Sequence, residues 1–292
     1  MKKQFDGLFF LICFFTLFYA SSCEILDEDY ILSPFSQHWK APMEYDDSEA
    51  TRILNVAAVS LIVDSEPDVN RNKIITFIDK IVSEQPAVRL ILFGETTLGY
   101  YYRPSSPSDY QNSIAETIPG MTTDLISQKA IEHQVYISFG MVESSGDNIY
   151  NSQILINPNG EIESVYRKQY LNPEDKNSGF SAGGGISIDI IDNIRVATII
   201  CFDSASKNVN EQIQASGAEL VLFSSALSGN IPESFYPLRP RHIQTWLLLA
   251  NRAGNEDGIE YTGSIYLSTP SGVNRVEMTG GEGYVFGQVR CR

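Results

Sequence analysis

Apolar and polar positions divide the chain into three stretches. Residues 8–20 form an uncharged apolar run behind Lys2 and Lys3, and residues 24–49 show little periodicity. From Ile53 onward, short β-rich apolar runs alternate with helical periods. Residues 53–63 and 88–93 read as strands, and between them 71–84 places Ile74, Ile78, Ile81 and Val82 on one helical face. Residues 96–118 are polar, aromatic and interrupted by Pro104 and Pro107, which predicts a long loop. A helix over 120–134 has Leu125, Ile126 and Ile131 as its buried positions. Strands follow at 135–142 and 150–156, and a turn at 157–160 leads back through 162–167. Further strands are expected at 186–191, 194–200 and 220–223, helices at 206–216 and 238–248, and final hairpin segments at 265–269 and 283–289. Strands and helices alternating in this way predict layered α/β packing in one domain.

Charge and cysteine placement refine that division. The 292 residues carry 21 basic and 36 acidic side chains, a net charge of −15, so the basic excess needed to bind a phosphate backbone is absent. Nucleic acid is therefore not expected as a partner. Four cysteines are too few for a disulfide scaffold. The run at 8–20 is shorter than the roughly 20 apolar residues of a spanning helix. A basic start, a short apolar segment and small residues have the layout of a secretory signal peptide over 1–22, an apolar core helix being the alternative. Ala20, Ser21 and Ser22 lead into Cys23, which resembles the lipobox of bacterial lipoproteins with Ala20 where leucine is usual. That resemblance implies a lipidated Cys23 holding an exported protein to a membrane surface without spanning it. Plain cleavage that leaves a free thiol is the alternative. Residues 24–49 hold eight acids against Lys40 alone, which predicts a solvated acidic tether over 23–51 ahead of a catalytic domain at 52–292.

Three reactive groups stand at the C-terminal ends of predicted strands: Glu95, Lys168 and Cys201. Sites in α/β folds are assembled there, because exposed loops meet positions fixed by the strands. Singly, each has a plainer reading: a strand-end cysteine is usually a small inert hydrophobe, and a lone Glu or Lys a solvated charge. Together they make chemistry. A thiol needs a base or a lowered pKa to attack, a carboxylate can take its proton, and an ammonium can stabilise an oxyanion. Histidine, the usual partner of a catalytic cysteine, is represented only by His38 in the tether and by His133 and His242 on predicted helices. A Cys-His pair is disfavoured. Gly183, Gly184 and Gly185 neither follow a strand nor open a helix, so they read as a turn rather than a phosphate cradle.

The order Glu-Lys-Cys resembles the nitrilase, or carbon-nitrogen hydrolase, superfamily over nearly all of residues 53–289. Four blocks carry the likeness: Leu92-Phe93-Gly94-Glu95; Tyr150-Asn151-Ser152 through Tyr166-Arg167-Lys168; Arg195-Val196-Ala197 through Cys201-Phe202-Asp203; and Ala250-Asn251-Arg252-Ala253-Gly254 with Gly263-Ser264 and Pro270-Ser271-Gly272. The resemblance implies a four-layer α-β-β-α sandwich that commonly dimerises, and cofactor-free, metal-free attack on a small-molecule amide or nitrile. Carried over, Glu95 deprotonates Cys201, while Lys168 and the backbone N–H of Phe202 form the oxyanion hole. A thioester acyl-enzyme forms, and water releases the acid. Glu174 lies nearest to the family's second active-site glutamate, with Asp175 beside it. Gly94 departs from the usual proline, and Gln244 from a frequent glutamate. Tyr100, Tyr101, Tyr102 and Tyr110 either line an acyl pocket or pack the loop onto the core. The alternatives are an N-acyltransferase of the same superfamily, whose members carry several spanning helices, and a surface lipoprotein that binds without turnover. Cys201 and Cys291 are expected to be free thiols.

Overall fold

The computed structural model describes residues 45–228 and 243–292. The expected signal peptide, Cys23 and most of the tether lie outside them. Among the described residues, thirteen strands form two half-sheets. In the first, β5 (Ile162–Arg167), β4 (Asn148–Ile156), β3 (Tyr136–Ser145), β2 (Leu90–Leu92) and β1 (Arg52–Ile62) lie side by side, and β13 (Gly283–Cys291) runs antiparallel to β1. In the second, β9 (Trp246–Glu256), β8 (Leu220–Ser225), β7 (Ile194–Ile200) and β6 (Ile188–Ile191) are neighbours, and β11 (Ile265–Ser268) pairs with both β9 and β12 (Asn274–Met278). β10 (Ile259–Thr262) folds back on β9. The halves join where Leu61 and Ile62 pair with Arg252 and Ala253.

The two-residue period of β1 explains the layering. Leu54, Val56 and Ala58 point inward with Leu90 and Leu92 to meet Val196, Leu220, Leu222, Leu248 and Leu267 of the other half-sheet. The alternate positions Ala57, Val59 and Leu61 point outward to α1 (Pro67–Glu84) and α3 (Met121–His133), through Ile74, Ile78, Ile81, Ile126 and Ala130. On the opposite side, Val209 and Ile213 of α5 (Lys207–Ser216) cover Ala197, Ile199, Val221 and Phe223. The result is the four-layer α-β-β-α sandwich. Each fully buried Leu or Ile contributes about 1.5–3 kcal/mol of transfer free energy to it. No helix among the described residues is long and apolar enough to cross a membrane.

Four expectations need correction. Residues 96–118 contain α2 (Pro107–Ile114), in which Pro107 starts the helix instead of breaking the chain. On α3 the inward face is Thr122, Thr123, Ile126 and Ala130, leaving Leu125 half-buried and Ile131 half exposed. The helix expected over 238–248 is contradicted at its end, where Trp246, Leu247 and Leu248 begin β9 between β8 and β11. The tether also ends before residue 51. Tyr45 packs edge-on against Trp246 at 5.5 Å, and Asp47 reaches Arg275 and Arg290 at 3.6 and 3.4 Å.

Candidate active site

Glu95 sits just past β2 in a turn pressed against β3. A Cβ at Gly140 would stand 2.6 Å from Gly94 O and Thr96 N and 2.9 Å from Glu95 Cα, so this approach requires glycine. Thr97 secures the turn by donating from N and Oγ1 to Gly140 O at 2.8 and 2.9 Å. From the other side, the fully buried Arg252 donates to Thr96 Oγ1 at 2.9 Å and Gly99 O at 2.7 Å, and pairs with Glu256 at 2.6 Å. Glu256 in turn accepts from Tyr101 N at 3.0 Å. Lys168 follows β5, where its N–H donates to Asn151 O at 2.9 Å and its carbonyl accepts from Gly183 N at 2.8 Å. The glycine run thus braces the lysine backbone. Cys201 follows β7 with φ +43, a left-handed conformation that costs a non-glycine residue about 1–3 kcal/mol.

The side chains of Glu95 and Lys168 are wholly buried and meet: Lys168 Nζ lies 2.8 Å from Glu95 Oε1 and 2.7 Å from Asp175 Oδ2. Asn151 Nδ2 donates to the same Glu95 Oε1 at 2.7 Å, whereas Glu95 Oε2, equally buried, accepts no hydrogen bond. Burial pushes the Glu95 carboxyl up, and Asp175 adds to this against the opposing pull of Lys168. Burial opposes the Lys168 charge, yet Asp175 and Glu95 outweigh it and hold the ammonium well above its ordinary value. The Cys201 thiol is within electrostatic reach of all three. Burial and the Glu95 charge drive it up to about 12, against Lys168 and the Ser225 hydroxyl. At neutral pH the Cys201 thiol is therefore protonated and the Lys168 amine charged, with the Glu95 carboxyl 2.8 Å from the ammonium. Two of the three Lys168 N–H bonds face carboxylates, which leaves one for a developing oxyanion.

Glu174 is not the second acid of this cluster. It is exposed, and the adjacent Asp175 is the buried partner of Lys168. Both lie on the short α4 (Pro173–Asn177), which a reciprocal cap orients: Asp175 N donates to Asn172 Oδ1 at 2.8 Å, and Asn172 N to Asp175 Oδ2 at 3.0 Å. Tyr101 completes this wall, donating to Asp175 Oδ1 at 3.0 Å with its ring centroid 5.5 Å from Lys168 Nζ. Tyr100 and Tyr110 instead pack in a satellite cluster with Ile114 and Phe180, and Tyr102 joins another with Tyr261. Phe202, half-buried, follows Cys201 in the same 3-10 turn (Cys201–Ala205). Cys201 and Cys291 are both unpaired. Asn151, Asp175, Tyr101 and Arg252 were not singled out by strand-end position. The Asn172-Pro173-Glu174-Asp175 cap signature is the signal that points to Asp175. Asp79, Glu132 and His133 come within metal-ligating distance of one another, but on the outer helices near the entry to β3. The Lys129 ammonium already bridges their carboxylates at 2.8 and 2.9 Å.

This architecture has counterparts among known proteins. In sequence the chain resembles a nitrilase of Pyrococcus abyssi, 28% identical over 208 residues, 70% of this chain and 77% of that one. It resembles an (R)-stereoselective amidase of Pseudomonas sp at 26% identity, over 63% of this chain and 66% of that one. It also resembles a formamidase of Bacillus cereus at 27% identity, over 73% of this chain and 60% of that one. The chain thus spans less than two thirds of the latter two proteins. In structure it superposes on a carbon-nitrogen hydrolase from Helicobacter pylori G27 with a TM-score of 0.71 at 16% identity, over 81% of this chain and 89% of that one. An amidase from Nesterenkonia sp. superposes over the same shares, again at 0.71, with 20% identity. At these identities the superpositions establish the fold. Family membership rests on the match to the carbon-nitrogen hydrolase family across residues 55–280, most of the chain, and to that family this protein belongs.

Proposed function

We propose that the protein hydrolyses a small non-peptide amide through a thioester on Cys201, with a nitrile as the alternative acceptor. The supporting observation is the division of labour within one buried carboxylate. Glu95 Oε1 is fixed by Lys168 and Asn151, while Oε2 is unpaired and free to take a proton. Sγ attacks the carbonyl carbon as its proton passes to Glu95 Oε2, so a free thiolate is never required at its unfavourable pKa. The carbonyl oxygen becomes an oxyanion held by Lys168 Nζ and the Phe202 N–H. The C–N bond then breaks, and the leaving amine takes the proton from Glu95. Water attacks the thioester, giving its proton to Glu95; the acid departs and the thiol is restored. Burial of the reacting groups favours a small substrate over a folded polypeptide, and Tyr101 with Asp175 forms the wall beside the oxyanion. The purified protein and its Cys201→Ala variant, screened against amides, nitriles and carbamoyl compounds with ammonia detection, test this reading. Ammonia release by the parent alone is expected. Equal release by both refutes Cys201 as nucleophile, and a new amide instead of free acid indicates acyl transfer.

Export belongs to the same proposal, with residues 1–22 as the signal peptide, Cys23 as lipid attachment point and a homodimer as the working form. Intact mass of protein taken from membranes should begin at Cys23 with added acyl mass. An unmodified Cys23 or a retained leader contradicts that, and a sedimentation mass of one chain contradicts the dimer.

A further inference from the structure

One carboxylate outside the reacting set touches both segments that carry it. Asp203, fully buried, stands two residues after Cys201. Its Oδ1 accepts from the backbone N–H groups of Gln169 at 3.0 Å and Tyr170 at 2.8 Å, the two residues that follow Lys168. Its Oδ2 accepts from the N–H of Ile200, the residue before Cys201, at 3.0 Å, and from the Tyr166 hydroxyl at 2.8 Å. β5, which delivers Lys168, and β7, which delivers Cys201, belong to different half-sheets, and no described strand pairing joins them. Backbone ladders therefore do not set their spacing near the site, so side-chain bridges must. We infer that Asp203 is a positioning residue that locks the Lys168 strand end to the Cys201 turn and so sets the spacing between ammonium and thiol. This inference rests on the proposed cysteine hydrolase.

The chemistry of the bridge calls for a carboxylate. All four partners are donors, and an ionised Asp offers two oxygens with about four lone-pair sites, whereas Asn would turn an N–H₂ group toward two of them. Burial raises the Asp203 carboxyl to about 6, its hydrogen bonds and the Lys168 charge opposing the rise, so it is ionised at neutral pH.

The test compares the full protein with Asp203→Asn, Tyr166→Phe and Ile213→Ala. Ile213 is a buried core residue of α5 packed against β7, and it makes none of the four bonds to Asp203. Asp203→Asn should retain a cooperative melting transition, lose about 100-fold in kcat and change KM less than about threefold, the pattern of misplaced reacting groups. Its Cys201, followed by mass spectrometry, should react about tenfold more slowly with iodoacetamide at neutral pH, because the thiol loses its ordered partners. Tyr166→Phe, which removes one bond of four, should fall between parent and Asp203→Asn. Ile213→Ala should melt lower with kcat within about twofold of the parent, the mark of lost packing alone. Parent-like kcat and alkylation in Asp203→Asn overturn the inference, as does an equal kcat loss in Ile213→Ala. Should Asp203→Asn fail to fold, parent-like kcat and alkylation in Tyr166→Phe overturn it. If the parent turns over no amide, the hydrolase reading fails on that result, while the alkylation comparison still decides the role of Asp203.

Discussion

Replacing Arg252 by Met tests how the turn carrying Glu95 is held. The Met side chain keeps much of the apolar stem but removes the charge and its contacts with Glu256 at 2.6 Å, Thr96 Oγ1 at 2.9 Å and Gly99 O at 2.7 Å. The Glu256 carboxylate, with its side chain 1% exposed, keeps the Tyr101 N–H at 3.0 Å but loses its counter-charge. Burial already raises the Glu256 pKa against the pull of Arg252, so removing the cation strands a group that is unfavourable to ionise. Breaking one side of a buried ion pair costs about 3–5 kcal/mol. For a domain of this size, at about 2–4 °C per kcal/mol, the melting temperature should fall by about 10 °C. Urea unfolding followed by fluorescence gives the free energy directly. The double variant Arg252→Met with Glu256→Leu should recover part of the loss, because the stranded charge is gone, with a coupling of about 1–3 kcal/mol. A loss below about 1 kcal/mol in Arg252→Met, well under the range for a broken buried pair, would refute the clamp.

Three further outcomes follow from the same geometry. The rate should rise with pH along an acid limb above the ordinary carboxylate value of 4.5, because protonated Glu95 cannot take the thiol proton. With Cys201 near 12 and Lys168 well above 10.5, no alkaline limb should come from either group near neutrality, and a kcat/KM profile that falls between neutral and mildly alkaline pH contradicts this. Gly140→Ala puts a Cβ into the Glu95 turn and should cost about 1–3 kcal/mol in unfolding experiments, together with at least tenfold in kcat, roughly the effect of misplacing a base. Iodoacetamide should label Cys201 about tenfold faster than Cys291, because Glu95 near Cys201 keeps one carboxylate oxygen unpaired, whereas Glu219 near Cys291 is held through both oxygens by Arg52. Thiolate fraction alone predicts the reverse order, since Cys291 is raised only to about 11, so peptide mapping separates the two accounts.

The candidate set was legible where apolar-rich strands end in a reactive side chain. Ile194–Ile200 runs directly into Cys201, and Leu90–Leu92 reaches Glu95 through Phe93 and Gly94, so strand-end position is readable from the sequence. Adjacent acids on a five-residue helix were not separable. Whether Glu174 or Asp175 turns inward depends on the Asn172 cap, a local hydrogen-bond pattern rather than a period. Trp246–Leu248 misled for a different reason. A central strand buried on both faces has no alternation, and a short apolar run of that kind matches a buried helix equally well. The Arg252 and Asp203 bridges were invisible because Arg252 reaches Gly99 and Thr96 across 153 and 156 residues, and Asp203 reaches Tyr166, Gln169 and Tyr170 across 33 to 37.

In the proposed reaction Cys201 carries the acyl group during hydrolysis. Rapid-quench intact mass spectrometry on the protein mixed with an amide it turns over, followed by peptide mapping, measures this directly. A transient mass gain equal to the acyl group in place of one hydrogen is expected on the peptide containing Cys201, as one equivalent of amine is released. Neither adduct nor turnover is expected in Cys201→Ala. Undiminished turnover by that variant, or an acyl group found on another residue, would contradict it.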